Sequence, residues 1–278
     1  MKIIREPQEL IDLSKALLTH NKTIGLVPTM GALHIGHSSL VKQSMAYNDI
    51  TIVTIFVNPL QFNNQDDLDK YPSTFEEDFQ VLDSLGCHYL FAPLSTDMYA
   101  NPLVRIDFGA LDKVLEGEFR PGHFAGVGVV VAKLLNMARP TNAYFGLKDL
   151  QQFLLIRKMV TDLSMPVMIH GVPTVRASSG LALSSRNLRL SNNGLKIASR
   201  IYVVLKHIEE QIRDNVGYEN ALMQGKELIY NEAGIEVEYL EIIDPETLLK
   251  PINKISVVAI CFAGYVEGIR LIDNLYLR

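Results

Sequence analysis

Apolar positions along the chain change period from segment to segment, and those changes mark the elements. Leu10, Ile11, Leu13, Leu17 and Leu18 recur at helical spacing, predicting an amphipathic helix over residues 7–19. Ile24 to Val27 is a short apolar run punctuated by Gly25 and Pro28, and it reads as a buried strand. Pro28 and Gly31 are expected to break that strand, and a helix follows from about Gly36 to Tyr47. Ile50 to Val57 is nearly all β-branched, the mark of a strand covered on both faces. Strand, helix and strand in such close succession form a βαβ unit, and so predict a parallel, doubly wound sheet.

The pattern continues in the same style. Asp66 to Pro72 reads as a polar loop. Ser73 or Thr74 opens a helix running to Gly86, with Glu76 and Glu77 as ordinary capping acids. Cys87 to Phe91 is a short strand, and residues 93–109 look irregular with short strand segments. An apolar helix spans Val127 to Met137, and strands span Asn142 to Leu147 and Val167 to Val172. From Ser191 the composition shifts to two helices, 192–214 and 218–233. Three strand-like runs close the chain: Val237 to Ile243, Ile255 to Val266 and Ile269 to Leu277, with Gly264 and Gly268 marking a bulge or turn. Helices followed by consecutive strands indicate an antiparallel α+β unit. The expected class is α/β, with a Rossmann-like doubly wound parallel sheet in residues 1–176 and a smaller C-terminal α+β lid domain in residues 177–278.

Composition narrows the function classes. Of 278 residues, 48% are hydrophobic and 21% charged, enough apolar material for a sizeable core. A formal net charge of −5 disfavours a broad nucleic-acid surface. No apolar stretch reaches the length of a membrane span. The N-terminus reads as a helix rather than a signal peptide. Cys87 and Cys261 lie far apart in apolar surroundings and read as buried free thiols of a reducing, cytoplasmic compartment.

The chemistry gathers where strands end. The run 23–41, TIGLVPTMGALHIGHSSLV, is strand, glycine-containing turn, helix. A helix N-terminus presents unpaired N–H groups and partial positive charge, which suits phosphate. Gly36 permits close approach to its backbone. His34 and His37, three apart, are expected on one helical face, where they can donate hydrogen bonds to charge developing on a phosphate. A metal site lacks a third ligand at suitable local spacing. Asn58 and Gln61 follow the second strand, and amides there suit a small polar acid. Arg120 and His123 sit in a glycine-rich entry to a helix and can face an anion. Lys148 at a strand end suits phosphate as a compact charge, with Asp149 able to support it or to contact a ribose. Gln152 is expected one helical turn past Lys148. Ser184, Ser185 and Arg186 supply donors for polyphosphate oxygens.

The tetrad His34-Ile35-Gly36-His37 resembles the His-x-Gly-His signature of the nucleotidyltransferase superfamily. The longer string from Pro28 to His37, with Arg120-Pro121-Gly122-His123-Phe124, Lys148-Asp149-Leu150-Gln151-Gln152 and Ser184-Ser185-Arg186, resembles the pantothenate synthetase (pantoate–β-alanine ligase) family over nearly the whole chain. Two positions depart from the family pattern: Leu147 stands for a usual Glu and Leu150 for a common Tyr. The resemblance implies ATP-dependent condensation of (R)-pantoate with β-alanine through a pantoyl-adenylate, with Mg²⁺, in a homodimer that needs neither nucleic acid nor membrane. It implies ATP contacts from Met30, Gly31, Ala32, Leu33, His34, Ile35, Gly36 and His37, from Gly146, Leu147, Lys148 and Asp149, from Val175, and from Leu183, Ser184, Ser185 and Arg186. It further implies catalytic roles for His34, His37 and Lys148, pantoate binding by Gln61 and Gln152, and β-alanine binding by Gln61. Two other readings remain open on the residues alone. One is a nucleotidyltransferase whose product is the nucleotidyl ester, against which the two glutamines argue. The other is an ATP-sensing module without turnover, against which the paired histidines and Lys148 argue.

Overall fold

In a computed structural model, residues 1–63, 65–69, 71–99, 101–252 and 257–277 are described. The chain divides into two compact units. The first holds Met1–Lys113, Gly117–Leu147 and Gln152–Pro173; the second holds Val114–Glu116, Lys148–Gln151 and Thr174–Arg278.

The strands of the first unit are β1 (Lys2–Ile4), β2 (Ile24–Thr29), β3 (Ile50–Ile55), β4 (Tyr89–Phe91), β5 (Asn142–Gly146) and β6 (Met168–Val172). They form one parallel sheet in the order β1-β4-β3-β2-β5-β6. The helices in chain order are α1 (Pro7–Thr19), α2 (Ile35–Tyr47), α3 (Gln65–Asp69), α4 (Phe75–Ser84), α5 (Ser95–Met98), α6 (Glu116–Phe119), α7 (His123–Ala138) and α8 (Leu150–Asp162). Leu40 and Val41 of α2 and Leu82 of α4 pack with Val27, Val53, Leu90 and Tyr144 of the sheet, one contiguous apolar cluster. Covering helices explain why β2 and β3 are apolar on both faces.

Several expectations are corrected. Pro28 does not end β2 but lies inside it, in register with Thr54. The Phe56 N–H donates to the Thr29 carbonyl on the β3 side. By strand alternation Pro28 then points toward β5, where pairing has already stopped at Leu26, so no ladder partner misses its N–H. Residues Gln65–Asp69 form α3 rather than a loop. Among the described residues of 93–109 there is the short helix α5 and no strand, with the Asp97 carboxylate accepting the Leu94 N–H. Helix α7 begins at His123, earlier than expected, because Gly122 takes a left-handed φ of 82° and turns the chain into it. Strand β1, three residues long, carries too little pattern to be seen in the sequence.

In the second unit α9 (Asn192–Arg213) and α10 (Tyr218–Tyr230) pack on an antiparallel sheet of β7 (Glu236–Ile243), β8 (Val258–Val266) and β9 (Ile269–Leu277), ordered β7-β8-β9. The expected strand start at Ile255 lies outside the described residues. Glu267 and Gly268, at φ 51° and 71°, form the two-residue turn between β8 and β9. Gly264 stands beside a register shift in β7; a Cβ there would be 2.5 Å from the Glu236 carbonyl oxygen. Arg270 is held by both oxygens of Glu116, each at 2.7 Å, and by Glu238. That buried cluster ties the Val114–Glu116 segment to the sheet.

Gly25 is packed hard against α2: a Cβ would lie 2.1 Å from Ser44 Oγ and 2.6 Å from Asn48 Nδ2. Gly25→Ala is expected to lower the unfolding free energy by about 2 kcal/mol in urea titration. The two cysteines are buried and free. Burial pushes the Cys87 thiol up to about 11 and the Cys261 thiol up to about 12. Both are expected to resist thiol reagents at about pH 8 until the protein unfolds. Stability should fall as pH rises above about 9, where only the unfolded thiols ionise.

Candidate active site

The turn that leaves β2 is built from two consecutive left-handed residues, Gly31 at φ 85° and Ala32 at φ 49°. Such a pair leaves backbone N–H groups pointing to one side, where they need acceptors. Thr29 Oγ1 accepts from Gly31 N at 3.2 Å and donates to the Thr54 carbonyl at 2.6 Å. Asp78 of α4 accepts from Ala32 N at 2.9 Å and from Leu33 N at 2.6 Å, and Thr74 Oγ1 donates to it at 3.2 Å. Asp78 is only 2% exposed. Sequence reading missed it, yet the signal was present. Phe75, Asp78, Phe79 and Leu82 share one helical face, so Asp78 is a charge on an apolar stripe.

The turn delivers His34 to the N-cap of α2, extended at φ −133°, and His37 to its first turn. The expectation of two histidines on one helical face is therefore corrected: His34 precedes the helix. The rings are nonetheless adjacent, with centroids 4.2 Å apart. His34 Nδ1 accepts from Gly36 N at 3.1 Å, and His37 Nδ1 accepts from His34 N at 3.2 Å. A ring nitrogen that accepts an N–H carries no proton of its own, so in each neutral ring the proton is on Nε2. Gly36 lacks a Cβ because the His34 ring occupies that space: a Cβ would be 2.7 Å from His34 Cε1. The expected reason was ligand approach; the ring itself is the nearer constraint. Met30 is the last residue before the turn, and Ile35 is the first of α2.

Beyond β3, Asn58 caps a 3-10 turn, Pro59–Gln61, that carries Gln61. Gln61 Nε2 lies 3.0 Å from Met30 Sδ, so the structure brings these two together. Asn58 Nδ2 donates to Gln61 Oε1 at 3.0 Å. His123 Nδ1 donates to the Gln61 carbonyl at 2.8 Å, and Arg120 donates to His123 Nε2 at 3.2 Å. Arg120 and His123, expected to face an anion, thus brace the Gln61 backbone. Gly126 of α7 lets that turn approach: a Cβ would be 2.2 Å from the Leu60 carbonyl oxygen. Gly146 ends β5, Leu147 opens the following 3-10 turn, and Gln152 lies in the first turn of α8. Leu147 packs beside Gly171, where a Cβ would lie 2.5 Å from its Cδ2. An apolar side chain at 147 is thus buttressed by the next strand.

In the second unit Lys148 Nζ sits 3.2 Å from Asp149 Oδ1, and the Lys148 carbonyl accepts from Asn274 Nδ2 at 2.8 Å. Val175 and Leu183 are joined by a bond from Leu183 N to the Val175 carbonyl at 3.0 Å. Between them Arg176 is fixed on Asp273 at 2.6 and 2.8 Å, with its guanidinium carbon 4.1 Å over the Tyr202 ring. Ser184 caps the 3-10 turn Ser185–Arg189, accepting from Arg186 N at 3.3 Å. The structure thus groups Lys148 with Asp149, and Val175 with Leu183 to Arg186.

A family model described as "Pantoate-beta-alanine ligase" matches residues 2–276. The chain belongs to the pantoate–β-alanine ligase family. Its reaction is the ligation of pantoate to β-alanine. Pantothenate synthetase of Cytophaga hutchinsonii is 48% identical over 261 residues, 92% of each chain. That of Fervidobacterium nodosum is 44% identical over 284 residues and the full length of both. The crystal structure of the Thermus thermophilus enzyme superposes with a TM-score of 0.93 at 40% identity, covering 99% of both chains. The Francisella tularensis ligase, solved with "Beta-gamma ATP and Beta-alanine", gives 0.81 at 37% identity, covering 99% of this chain and 97% of its own.

Asp78→Ala leaves the Ala32 and Leu33 N–H groups without their acceptor. Ligase kcat is expected to fall roughly tenfold or more through misplacement of the His34 turn. Unfolding free energy should fall by about 2 kcal/mol. Wild-type kcat in steady-state assays would show that the turn holds itself.

Proposed function

We propose that the ligation runs on ATP in two steps. The pantoate carboxylate attacks the α-phosphorus, forming pantoyl-adenylate and releasing pyrophosphate. The β-alanine amine then attacks the acyl carbon of that mixed anhydride, and AMP leaves. The observation that carries this reading is the pair of Nε2-protonated imidazoles at the start of α2. A helix N-terminus favours anionic groups, and the two N–H donors suit charge that grows on phosphate oxygens during displacement. His34 and His37 stabilise that charge, each donating a hydrogen bond from Nε2–H, with His37 the closer to the chemistry of the first step.

The remaining roles rest on family resemblance, and the chemistry of each side chain supports them. Lys148, Ser184, Ser185 and Arg186 hold the triphosphate. Met30 to His37, Gly146 to Asp149, Val175 and Leu183 complete the nucleotide contacts. Gln61 and Gln152 bind pantoate, and Gln61 orients β-alanine. The second step needs no strong base when the amine arrives neutral, because the acyl group is already activated and positioning supplies the acceleration. Mg²⁺ enters with ATP as part of the substrate. Among the described residues no group of three or more His, Cys, Asp or Glu is placed to hold a metal. Lys, Arg and Ser donors suit a triphosphate whose own oxygens carry the ion.

The reading extends to a nucleotide- and pantoate-binding domain over residues 1–176 and a lid over 177–278. It also makes the enzyme a cytoplasmic homodimer, the dimer on family resemblance and the compartment on its two free, buried cysteines.

AMP release is expected only when ATP, Mg²⁺, pantoate and β-alanine are all present. Without β-alanine, pyrophosphate should form in about enzyme-stoichiometric amount. His37→Ala should cut that burst rate by about 10²-fold or more. A wild-type burst in His37→Ala would remove the histidine from the first step.

A further inference from the structure

Gln61 can recognise its ligand with either end of its amide, and the choice decides what it recognises. The geometry settles which end is offered. Asn58 Nδ2 directs its two N–H groups to Gln61 Oε1 at 3.0 Å and the Gly126 carbonyl at 3.1 Å. Asn58 Oδ1 accepts from Tyr99 Oη at 2.9 Å and from Leu60 N at 3.3 Å. All of the Asn58 amide capacity is therefore engaged, and a flipped amide would set its NH₂ against the Leu60 N–H and its oxygen against the Gly126 carbonyl. The Gln61 oxygen is in turn fixed on Asn58, and its Nε2 faces Met30 Sδ at 3.0 Å, a weak acceptor. Gln61 keeps an N–H donor to give.

We propose that Tyr99 is a positioning residue for pantoate: through Asn58 it sets the Gln61 amide so that Gln61 presents N–H₂ to an acceptor oxygen of the substrate, a carboxylate or hydroxyl. The proposal rests on Gln61 binding pantoate. Tyr99 follows the short helix α5, and its ring is packed on both an aromatic and a cationic neighbour. It packs on Phe56 with centroids 5.9 Å apart, and Lys133 Nζ lies 5.7 Å from its ring while bonding the Met98 carbonyl. Burial pushes its hydroxyl up to about 12, so the O–H donor persists across the working pH range. Asn58 is 1% exposed, so water does not readily replace the lost donor.

The experiment is a double-mutant cycle with Tyr99→Phe and Gln61→Ala, read as pantoate KM, ATP KM and kcat, with thermal midpoints as a check on folding. Tyr99→Phe keeps the ring and removes only the donor. It is expected to raise pantoate KM roughly five-fold with ATP KM unchanged. In the Gln61→Ala background the same change should have no further effect on pantoate KM, because the amide it positions is gone. A general loosening of the fold would instead add in both backgrounds and move ATP KM as well; that result overturns the proposal. If Gln61→Ala raises pantoate KM and Tyr99→Phe alone does not, the relay through Asn58 is overturned while the Gln61 assignment stands. If Gln61→Ala leaves pantoate KM at the wild-type value, the Gln61 assignment itself fails, and the proposal with it.

Discussion

Two hydrogen bonds from a left-handed turn to one buried carboxylate hold the working end of the first unit. Without Asp78, Gly31 and Ala32 would leave the Ala32 and Leu33 N–H groups buried and unpaired beside the sheet. With it, the chain can leave β2, reverse over two residues and enter α2 with His34 as the cap. Everything proposed for the phosphate chemistry then follows from backbone geometry. Each imidazole is oriented by an N–H of the same turn, and each is thereby fixed as an Nε2–H donor. The protein determines tautomer and aim before any ligand arrives, which is what electrostatic preorganisation requires.

Gln61 is fixed by the same kind of constraint. Its carbonyl is braced by His123, its side-chain oxygen by Asn58, and its turn is admitted by the missing Cβ of Gly126. Segments far apart in sequence therefore fix one amide. In the second unit the Arg176–Asp273 pair and the Asn274 bond to the Lys148 carbonyl play a comparable part, anchoring the backbone from which Lys148 and the serine turn project. Charged pairs this enclosed gain little net stability over apolar packing. Their effect here is to fix register.

Local pattern was legible wherever an element was long and periodic. The helices α1, α9 and α10, and the strands β2, β3, β7 and β9, follow from apolar spacing within a few residues. Short elements were not: β1 has three residues and α5 four, barely more than one period each, so no apolar spacing can repeat. Pro28 was read as a break because the sequence does not say which neighbour a strand residue faces. Only the sheet order, with β5 pairing ending at Leu26, makes the proline harmless.

By itself the sequence determined the α/β class, the antiparallel second unit, the buried thiols and the motifs that identify the family. These depend on residue type and spacing, which are local. The tertiary structure decided which nitrogen of each histidine carries its proton, which end of Gln61 is offered, and that Arg120 and His123 act as braces. Those properties depend on hydrogen-bond partners placed by the folded backbone, many of them contributed by other segments: Asp78 to the turn 46 residues earlier, Gly126 to an amide 68 residues earlier. No local pattern encodes such a partner, because the free energy that fixes it arises only when the helices close over the sheet.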